Sequence, residues 1–171
     1  MNIKRTLYFV GNIFIVFFIT VFFKVLILEK LLWHVLTDTN GFISFVLVKN
    51  NGAAFNMLAG YNTMLIIFAI IIIASCILYV LLYKLYISEK FLLLLASFCA
   101  GVFGNAYERF VYDYVTDYIK INFMNFPVFN LYDVLITLGA FLIASIIIID
   151  KHREFQENKD VAEDDLYRDI E

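Results

Sequence analysis

Two aspartates and several amide and basic side chains stand close together in the second half of the chain. Asp117 and Asp133 are accompanied by Asn105, Arg109 and Asn130. Two carboxyl groups close enough to share a proton titrate in separate steps, because charge repulsion and loss of solvent push their pKa values apart. The ionised acid can then accept a proton from a water that attacks a carbonyl, while the neutral acid donates one. These residue types therefore indicate aspartyl peptidase chemistry.

The same residues are also compatible with a structural role or with transport. Arg109 can neutralise Asp117 or Asp133 in a salt bridge that only joins two helices. The acids can also relay protons or bind cations in a small transporter, although such a protein needs polar groups through the whole membrane and residues 61–83 carry no charge. Serine hydrolase and zinc peptidase chemistry are not indicated, because the sequence has neither a Gly-x-Ser-x-Gly nor a His-Glu-x-x-His motif.

The composition places these residues in a membrane protein. The chain has 171 residues, of which 63% are hydrophobic and 17% charged, and its mean hydropathy is +0.83. Soluble domains are about 45–50% apolar. Nine of the sixteen acids fall in residues 150–171 and no basic block occurs, so we expect no nucleic-acid partner. The two cysteines lie in apolar runs without a ligand motif, so we expect no metal and no cofactor.

Four segments are long and apolar enough to cross a bilayer, which takes about 20 residues at about 1.5 Å each. They cover approximately residues 6–28, 61–83, 91–107 and 130–149. We therefore predict an all-α membrane protein with four transmembrane helices in a single domain, residues 1–150. Residues 151–171 are predicted to form an acidic, solvated cytoplasmic tail that is helical at most near its start.

The basic residues that flank these segments predict the topology. They precede the first helix, separate the second from the third and follow the fourth, as Lys4, Arg5, Lys84, Lys90, Lys151 and Arg153. Because Lys and Arg favour cytoplasmic flanks, both termini should be cytoplasmic. Outside, residues 41–49 form a β-branched and aromatic run that ends at Asn50, Asn51 and Gly52, which predicts a strand entering a turn and hence a small outer sheet.

Two helix faces are predicted to meet inside the bundle. The fourth helix carries a polar and small stripe at helical spacing, namely Asn130, Asp133, Thr137, Ala140 and Ala144. The third helix carries a matching stripe of Ser97, Gly101, Asn105 and Arg109, beside a strip of Ala96, Ala100 and Gly104. Small residues let helices approach closely in lipid. We therefore expect the stripe of the fourth helix to face the bundle, with Asp133 at the outer end.

Three blocks of the sequence resemble the lipoprotein signal peptidase family, also called signal peptidase II. They are VKNNGAAFNML at 48–58, GNAYERFVYDYVTDYI at 104–119 and FPVFNLYDVLITLGA at 126–140. The resemblance implies a bacterial aspartyl endopeptidase of the cytoplasmic membrane, with its site on the extracytoplasmic face. It implies a diacylglyceryl-modified prolipoprotein as substrate, cleaved on the amino side of the lipidated cysteine, and inhibition by globomycin-like peptides. It also implies that the outer strand belongs to a small β-cradle.

Carried over position by position, the resemblance implies that Asp117 and Asp133 are catalytic. The supporting residues fall on Asn50, Gly52, Asn105, Arg109 and Asn130. Asn50 and Asn130 are expected to hold the dyad or the peptide through amide hydrogen bonds, although Asn50 and Gly52 are also ordinary turn residues. We expect a monomer in contact with membrane lipid. An inactive family member that only binds lipoproteins is the alternative that the residues leave open.

The chain departs from the family pattern at three positions. Glu108 stands where the family usually has Asp, Tyr132 replaces the usual Ala, and Thr20 replaces an Asp found in many members four residues before the lysine of the first helix. We expect Glu108 and Asp113 to be solvated loop acids. Tyr132 is expected to narrow the pocket or to donate a hydrogen bond there.

Overall fold

The architecture was obtained as a computed structural model, which describes residues 3–32, 41–52, 57–82 and 88–168. In chain order the elements are α1 (Ile3–Leu32), β1 (Ile43–Asn50), α2 (Asn62–Leu82), α3 (Glu89–Tyr112), β2 (Val115–Ile121) and α4 (Leu131–Arg168). Each of the four helices contains a stretch long and apolar enough to span a membrane. The predicted four-helix membrane fold with a small sheet is confirmed.

The helices extend beyond the predicted apolar segments where polar residues continue the helix. Ser88 caps α3 by accepting a hydrogen bond from the amide of Phe91, and Asp113 ends the helix in the left-handed conformation with φ 63°. The last helix continues to Arg168, whereas helix was expected in the tail only near its start. Residues 150–168 contain neither Gly nor Pro and are rich in Glu, Lys and Arg, so nothing in this segment breaks the helix.

The third helix is the centre of the bundle and packs against the other three helices. Ala96 and Ala100 are fully buried, and a Cβ added to Gly104 would lie 2.3 Å from the ring of Tyr132. The predicted close approach along the small-residue strip is therefore confirmed. Tyr132 is 2% exposed and stacks on Phe17, so the ring is a core residue and does not narrow a pocket, contrary to our expectation.

The predicted orientation of α4 is wrong from Ala140 onward. Thr137, although exposed, lines the cavity between the helices, whereas Ala140 and Ala144 are exposed and do not line it. The buried side of the helix instead carries Tyr132 and Gly139. Tyr132 occupies the groove at Gly104, and a Cβ on Gly139 would lie 2.9 Å from the Cβ of Phe98. The buried face of α4 is thus the one that packs closely at Gly104 and Gly139, which polarity alone did not predict.

The two strands form an antiparallel sheet in which Val48 lies opposite Asp117 and Asn50 opposite Val115. The register shifts between Phe45 and Val48, which marks a β-bulge. The predicted first strand is confirmed to within two residues at its start and one at its end. The second strand was missed from sequence, because Asp117 and Lys120 interrupt its apolar pattern.

Candidate active site

Asp117 lies in the middle of β2 and its side chain is buried. Its Oδ1 accepts a hydrogen bond from Nδ2 of Asn130 at 2.8 Å, and its Oδ2 accepts one from Nδ2 of Asn50, also at 2.8 Å. The two donors come from different elements, since Asn50 ends β1 and Asn130 directly precedes α4. The carboxylate is therefore held in a fixed orientation by one residue at the end of β1 and one residue just before α4.

Asp133 occupies the first turn of α4 and forms a reciprocal cap with Asn130. The amide of Asn130 donates to Oδ2 of Asp133 at 3.0 Å, and the amide of Asp133 donates to Oδ1 of Asn130 at 3.1 Å. Such capping boxes satisfy amides that a helix start would leave unpaired. The remaining oxygen, Oδ1, accepts from Nδ2 of Asn105 at 2.8 Å.

Asn130 joins the two acids directly. It is fully buried, and its Nδ2 also donates to Oδ1 of Asn105 at 3.2 Å. One side chain thus bonds to Asp117, to Asp133 through the cap and to Asn105 on α3. The structure brings these predicted site residues into one network in which every carboxylate oxygen of the two aspartates accepts a hydrogen bond from the protein.

Arg109 and Gly52 support the network from the side of β1. The amide of Gly52 donates to Oδ1 of Asn50 at 2.9 Å, and Nη2 of Arg109 donates to the carbonyl oxygen of Gly52 at 2.6 Å. Its Nη1 donates to the carbonyl oxygen of Asn105 at 3.1 Å. Within the described ranges, Arg109 makes no salt bridge to either aspartate. The guanidinium therefore holds the turn after β1 against α3, unlike the helix-joining ion pair considered from sequence.

Burial raises the pKa of Asp117 to about 6. Hydrogen bonds from Asn50 and Asn130 oppose this rise, because they stabilise the ionised form, whereas the negative charge of Asp133 adds to it. Asp117 therefore binds a proton more tightly than an ordinary aspartate, and the charge of a second acid contributes to that.

Tyr118 is a site residue that sequence reasoning missed. Its hydroxyl oxygen accepts a hydrogen bond from the amide of Leu131 at 3.3 Å, and the amide of Tyr118 donates to the carbonyl of Phe129 at 3.0 Å. Burial raises the pKa of Tyr118 to about 12. These bonds tie β2 to the start of α4, next to the two aspartates.

Glu108 is not the solvated loop acid that we expected. Its side chain is 3% exposed, and it forms a salt bridge with Lys24 of α1 at 2.6 Å. Its other oxygen accepts a hydrogen bond from the amide of Thr116 at 2.9 Å. The signal was present in the sequence, because a lysine inside an apolar span requires a partner. Asp113 is exposed, as expected.

A cavity of about 1100 Å³ opens beside the network. Its polar end is lined by Asn50, Asn105, Arg109, Asp117 and Asp133. Its apolar walls come from α2, α3 and α4, through Leu65, Ala69, Val102, Ile136 and Leu138. Among the described residues, no group of three or more His, Cys, Asp or Glu side chains is placed to hold a metal ion. The cavity suits a substrate whose reacting group is polar and whose remainder is long and apolar.

Comparison with known proteins agrees with these features. Residues 12–149 match the family described as Signal peptidase (SPase) II. The chain is 31% identical over 119 residues to a lipoprotein signal peptidase of Clostridium novyi, covering 67% of this chain and 79% of that protein. It is 39% identical over 121 residues to one of Dichelobacter nodosus, covering 67% of this chain and 75% of that protein.

A solved structure with a related fold is consistent with the family match. A bacterial membrane enzyme structure determined by the in meso method superposes with a TM-score of 0.66 and is 25% identical in sequence. The match covers 82% of this chain and 90% of that one. The similarity therefore extends over most of both chains.

Proposed function

Because the chain belongs to the signal peptidase II family, a family of proteases, we propose that it removes signal peptides from diacylglyceryl-modified prolipoproteins. The cut falls on the amino side of the lipidated cysteine. The observation that carries this proposal is the pairing of Asp117 with Asp133 through Asn130 at the polar end of an apolar cavity. A polar dyad at that place meets a peptide bond while the adjoining apolar walls contact the lipid and the signal peptide.

The two aspartates divide the proton transfers between them. One ionised carboxylate accepts a proton from a water whose oxygen attacks the carbonyl carbon, while the neutral acid donates its proton to the carbonyl oxygen. The resulting tetrahedral intermediate breaks its carbon–nitrogen bond as the leaving amine takes up a proton from the dyad. Because the acids are coupled, the shared proton belongs to the pair and neither aspartate is assigned a fixed state.

The supporting residues keep the dyad oriented. Asn50 fixes Asp117, and Asn50 is itself fixed by the turn at Gly52, which Arg109 holds. Asn105 fixes Asp133. Preorganised donors around the reacting groups lower the cost of reorganisation during the reaction. These four residues therefore act in catalysis by orienting the acids, and the backbone of a bound substrate can take up their remaining hydrogen bonds.

The site belongs on the extracytoplasmic side of the bacterial cytoplasmic membrane. Asp133 is at the start of α4, and the sheet that carries Asp117 connects α3 to α4, so both lie at one end of the bundle. The basic flanks cluster at the other end, which favours cytoplasmic termini and a cytoplasmic acidic tail. The enzyme acts as a monomer and is inhibited by globomycin-like cyclic peptides that fill the same cavity.

Cleavage of synthetic prolipoprotein peptides tests the proposal. The purified protein is compared with its Asp117→Asn and Asp133→Asn variants, on a peptide with and without diacylglyceryl on its cysteine. Asp113→Asn is the matched control, because Asp113 is exposed and lies outside the network. We expect the wild type and the control to cut only the lipidated peptide, on the amino side of the cysteine, and both dyad variants to lose activity.

Two results would contradict the proposal in different ways. A folded wild type that binds the lipidated peptide without cutting it is a lipoprotein-binding protein. Cleavage that survives in either dyad variant means that the aspartyl mechanism has been assigned to the wrong acids.

A further inference from the structure

Four large apolar residues are exposed where β1 begins and β2 ends, and they form what we call the aromatic tip: Phe42, Ile43, Phe123 and Met124. The Phe42 side chain is 78% exposed and that of Phe123 is 69% exposed. The two rings contact each other edge to face, with centroids 5.8 Å apart. The tip is therefore an apolar patch that the described part of the protein leaves uncovered.

The aromatic tip is held in shape by Asn122. The amide of Asn122 donates to the carbonyl of Phe42 at 3.0 Å, and its Nδ2 donates to the carbonyl of Gly41 at 2.9 Å. Its Oδ1 accepts from the hydroxyl of Ser44 at 2.8 Å. Hydrogen bonds of Asn122 to Gly41, Phe42 and the buried Ser44 thus join the end of β2 to the start of β1. This connection holds the two rings next to each other.

Residues of both strands line the cavity together with residues of the helices, so the sheet packs close to the bundle. Val115 and Ile121, at opposite ends of β2, both line the cavity that also contacts Leu138 of α4. Leu138 is seven residues after the start of α4, about 10 Å along the helix axis at 1.5 Å per residue. Because both ends of β2 line a cavity that α2, α3 and α4 also line, the end of β2 that carries the tip lies beside the helix bundle.

We propose that the aromatic tip inserts into the bilayer interface beside the helix bundle and anchors the outer end of the sheet there. Aromatic side chains favour the headgroup region, and apolar groups beside them bury in the adjoining acyl boundary. The occupant of this surface is membrane lipid, because the four spanning helices place the bilayer beside the tip. An anchored sheet end keeps Asp117, on the same strand, in register with the mouth of the cavity.

Tryptophan reporters measure this insertion without any assay of cleavage. Phe42→Trp and Phe123→Trp are made separately in a Trp33→Phe background, which leaves a single tryptophan. Each protein is reconstituted in phosphatidylcholine vesicles with bromines at shallow or deep acyl positions. Ala140→Trp serves as the deep control, since Ala140 is exposed well below the start of α4, and free N-acetyltryptophanamide is the aqueous reference.

We expect shallow bromines to quench both tip reporters more than deep ones, whereas the Ala140→Trp reporter shows the reverse. Iodide in the buffer should quench the tip reporters several-fold less than the aqueous reference. Emission from both tip positions that matches the aqueous reference, with full quenching by iodide and none by bromine, would overturn the proposal. The result is independent of whether the protein is a peptidase.

Discussion

Asn130 is hydrogen-bonded to both aspartates, through its side chain and its backbone amide. Its side-chain Nδ2 donates to Asp117. Its backbone amide donates to Oδ2 of Asp133, and its Oδ1 accepts from the backbone amide of Asp133. The first bond orients an acid of the sheet, whereas the other two cap a helix. The bond that we propose orients the catalytic acid and the bonds that cap the helix therefore use different atoms of the same residue, and substitutions can separate them.

Asn130→Ser should keep the helix cap and lose the donor to Asp117. Serine is about as good as asparagine at this helix position, while alanine costs about 1 kcal/mol. We expect Asn130→Ser to unfold near the wild-type temperature yet to lose about tenfold or more in kcat, because Asp117 is less well oriented. Asn130→Ala should lose both the helix cap and the hydrogen-bond donor to Asp117. Thermal unfolding in detergent and peptide cleavage measure the two effects, and equal kcat in Asn130→Ser and wild type would contradict the assigned role.

The raised pKa of Asp117 makes stability depend on pH. The folded protein binds this proton more tightly than the unfolded chain, since the pKa rises from 3.8 to about 6. This contribution, on the order of 2–3 kcal/mol, is fully present below about pH 4 and is lost as the pH rises through about 6. We expect the difference in unfolding temperature between wild type and Asp117→Asn to shift in favour of the variant from pH 4 to pH 8. A difference that stays constant over this range would rule the effect out.

At the scale of elements, α3 and α4 approach closely at glycines, of which Gly104 faces the ring of Tyr132. Gly104→Ala would place a methyl group 2.3 Å from the Tyr132 ring, and overpacking of this kind costs about 1–3 kcal/mol. We expect a lower unfolding temperature for Gly104→Ala, and a loss in the double variant Gly104→Ala with Tyr132→Ala that is smaller than the sum of the two single losses. Gly11→Ala is the control, because nothing lies within 4 Å of a Cβ there. Strictly additive losses in the double variant would contradict a direct contact.

Helices and strands whose positions follow from the hydrophobic pattern could be predicted from the sequence. The four helices, the first strand and the residues around Asp117 and Asp133 follow from apolar length, turn residues and resemblance. The buried face of α4 did not, because it depends on how the Tyr132 ring fits the groove at Gly104. The partner of Lys24 was also missed, since pairing between helices far apart in sequence is a property of the packed bundle and Glu108 resembled an ordinary loop acid.

At the scale of the whole molecule, the sheet and three helices enclose a cavity that joins a polar end to apolar walls. Asp117 and Asp133 are at one end, and Ala69 of α2 and Leu138 of α4 belong to the apolar part. Neither part alone is specific for a lipidated peptide. The combination suits a substrate that carries a scissile bond next to long acyl chains, and it arises only when the sheet and helices are assembled.

A large side chain in the apolar part of the cavity should weaken substrate binding more than it slows the cleavage step. Ala69 is buried and lines the cavity, so Ala69→Phe places a ring where lipid is proposed to bind. Ala74→Phe is the matched control on the same helix, at an exposed position. We expect KM for the lipidated peptide to rise about tenfold or more in Ala69→Phe with a smaller change in kcat, given roughly 1.5 kcal/mol or more of lost apolar burial. An unchanged KM would place the lipid elsewhere.

The salt bridge between Lys24 and Glu108 also constrains how the protein is made. The two residues are 84 positions apart, which at about 5–20 residues per second corresponds to a delay of roughly 4–17 seconds during translation. Throughout that interval α1 has emerged while the acid that neutralises its lysine does not yet exist. Because an unpaired ammonium is costly in hydrocarbon, we expect α1 to keep Lys24 at a hydrated depth until α3 is synthesised. The final packing of the first helix should therefore follow synthesis of the third.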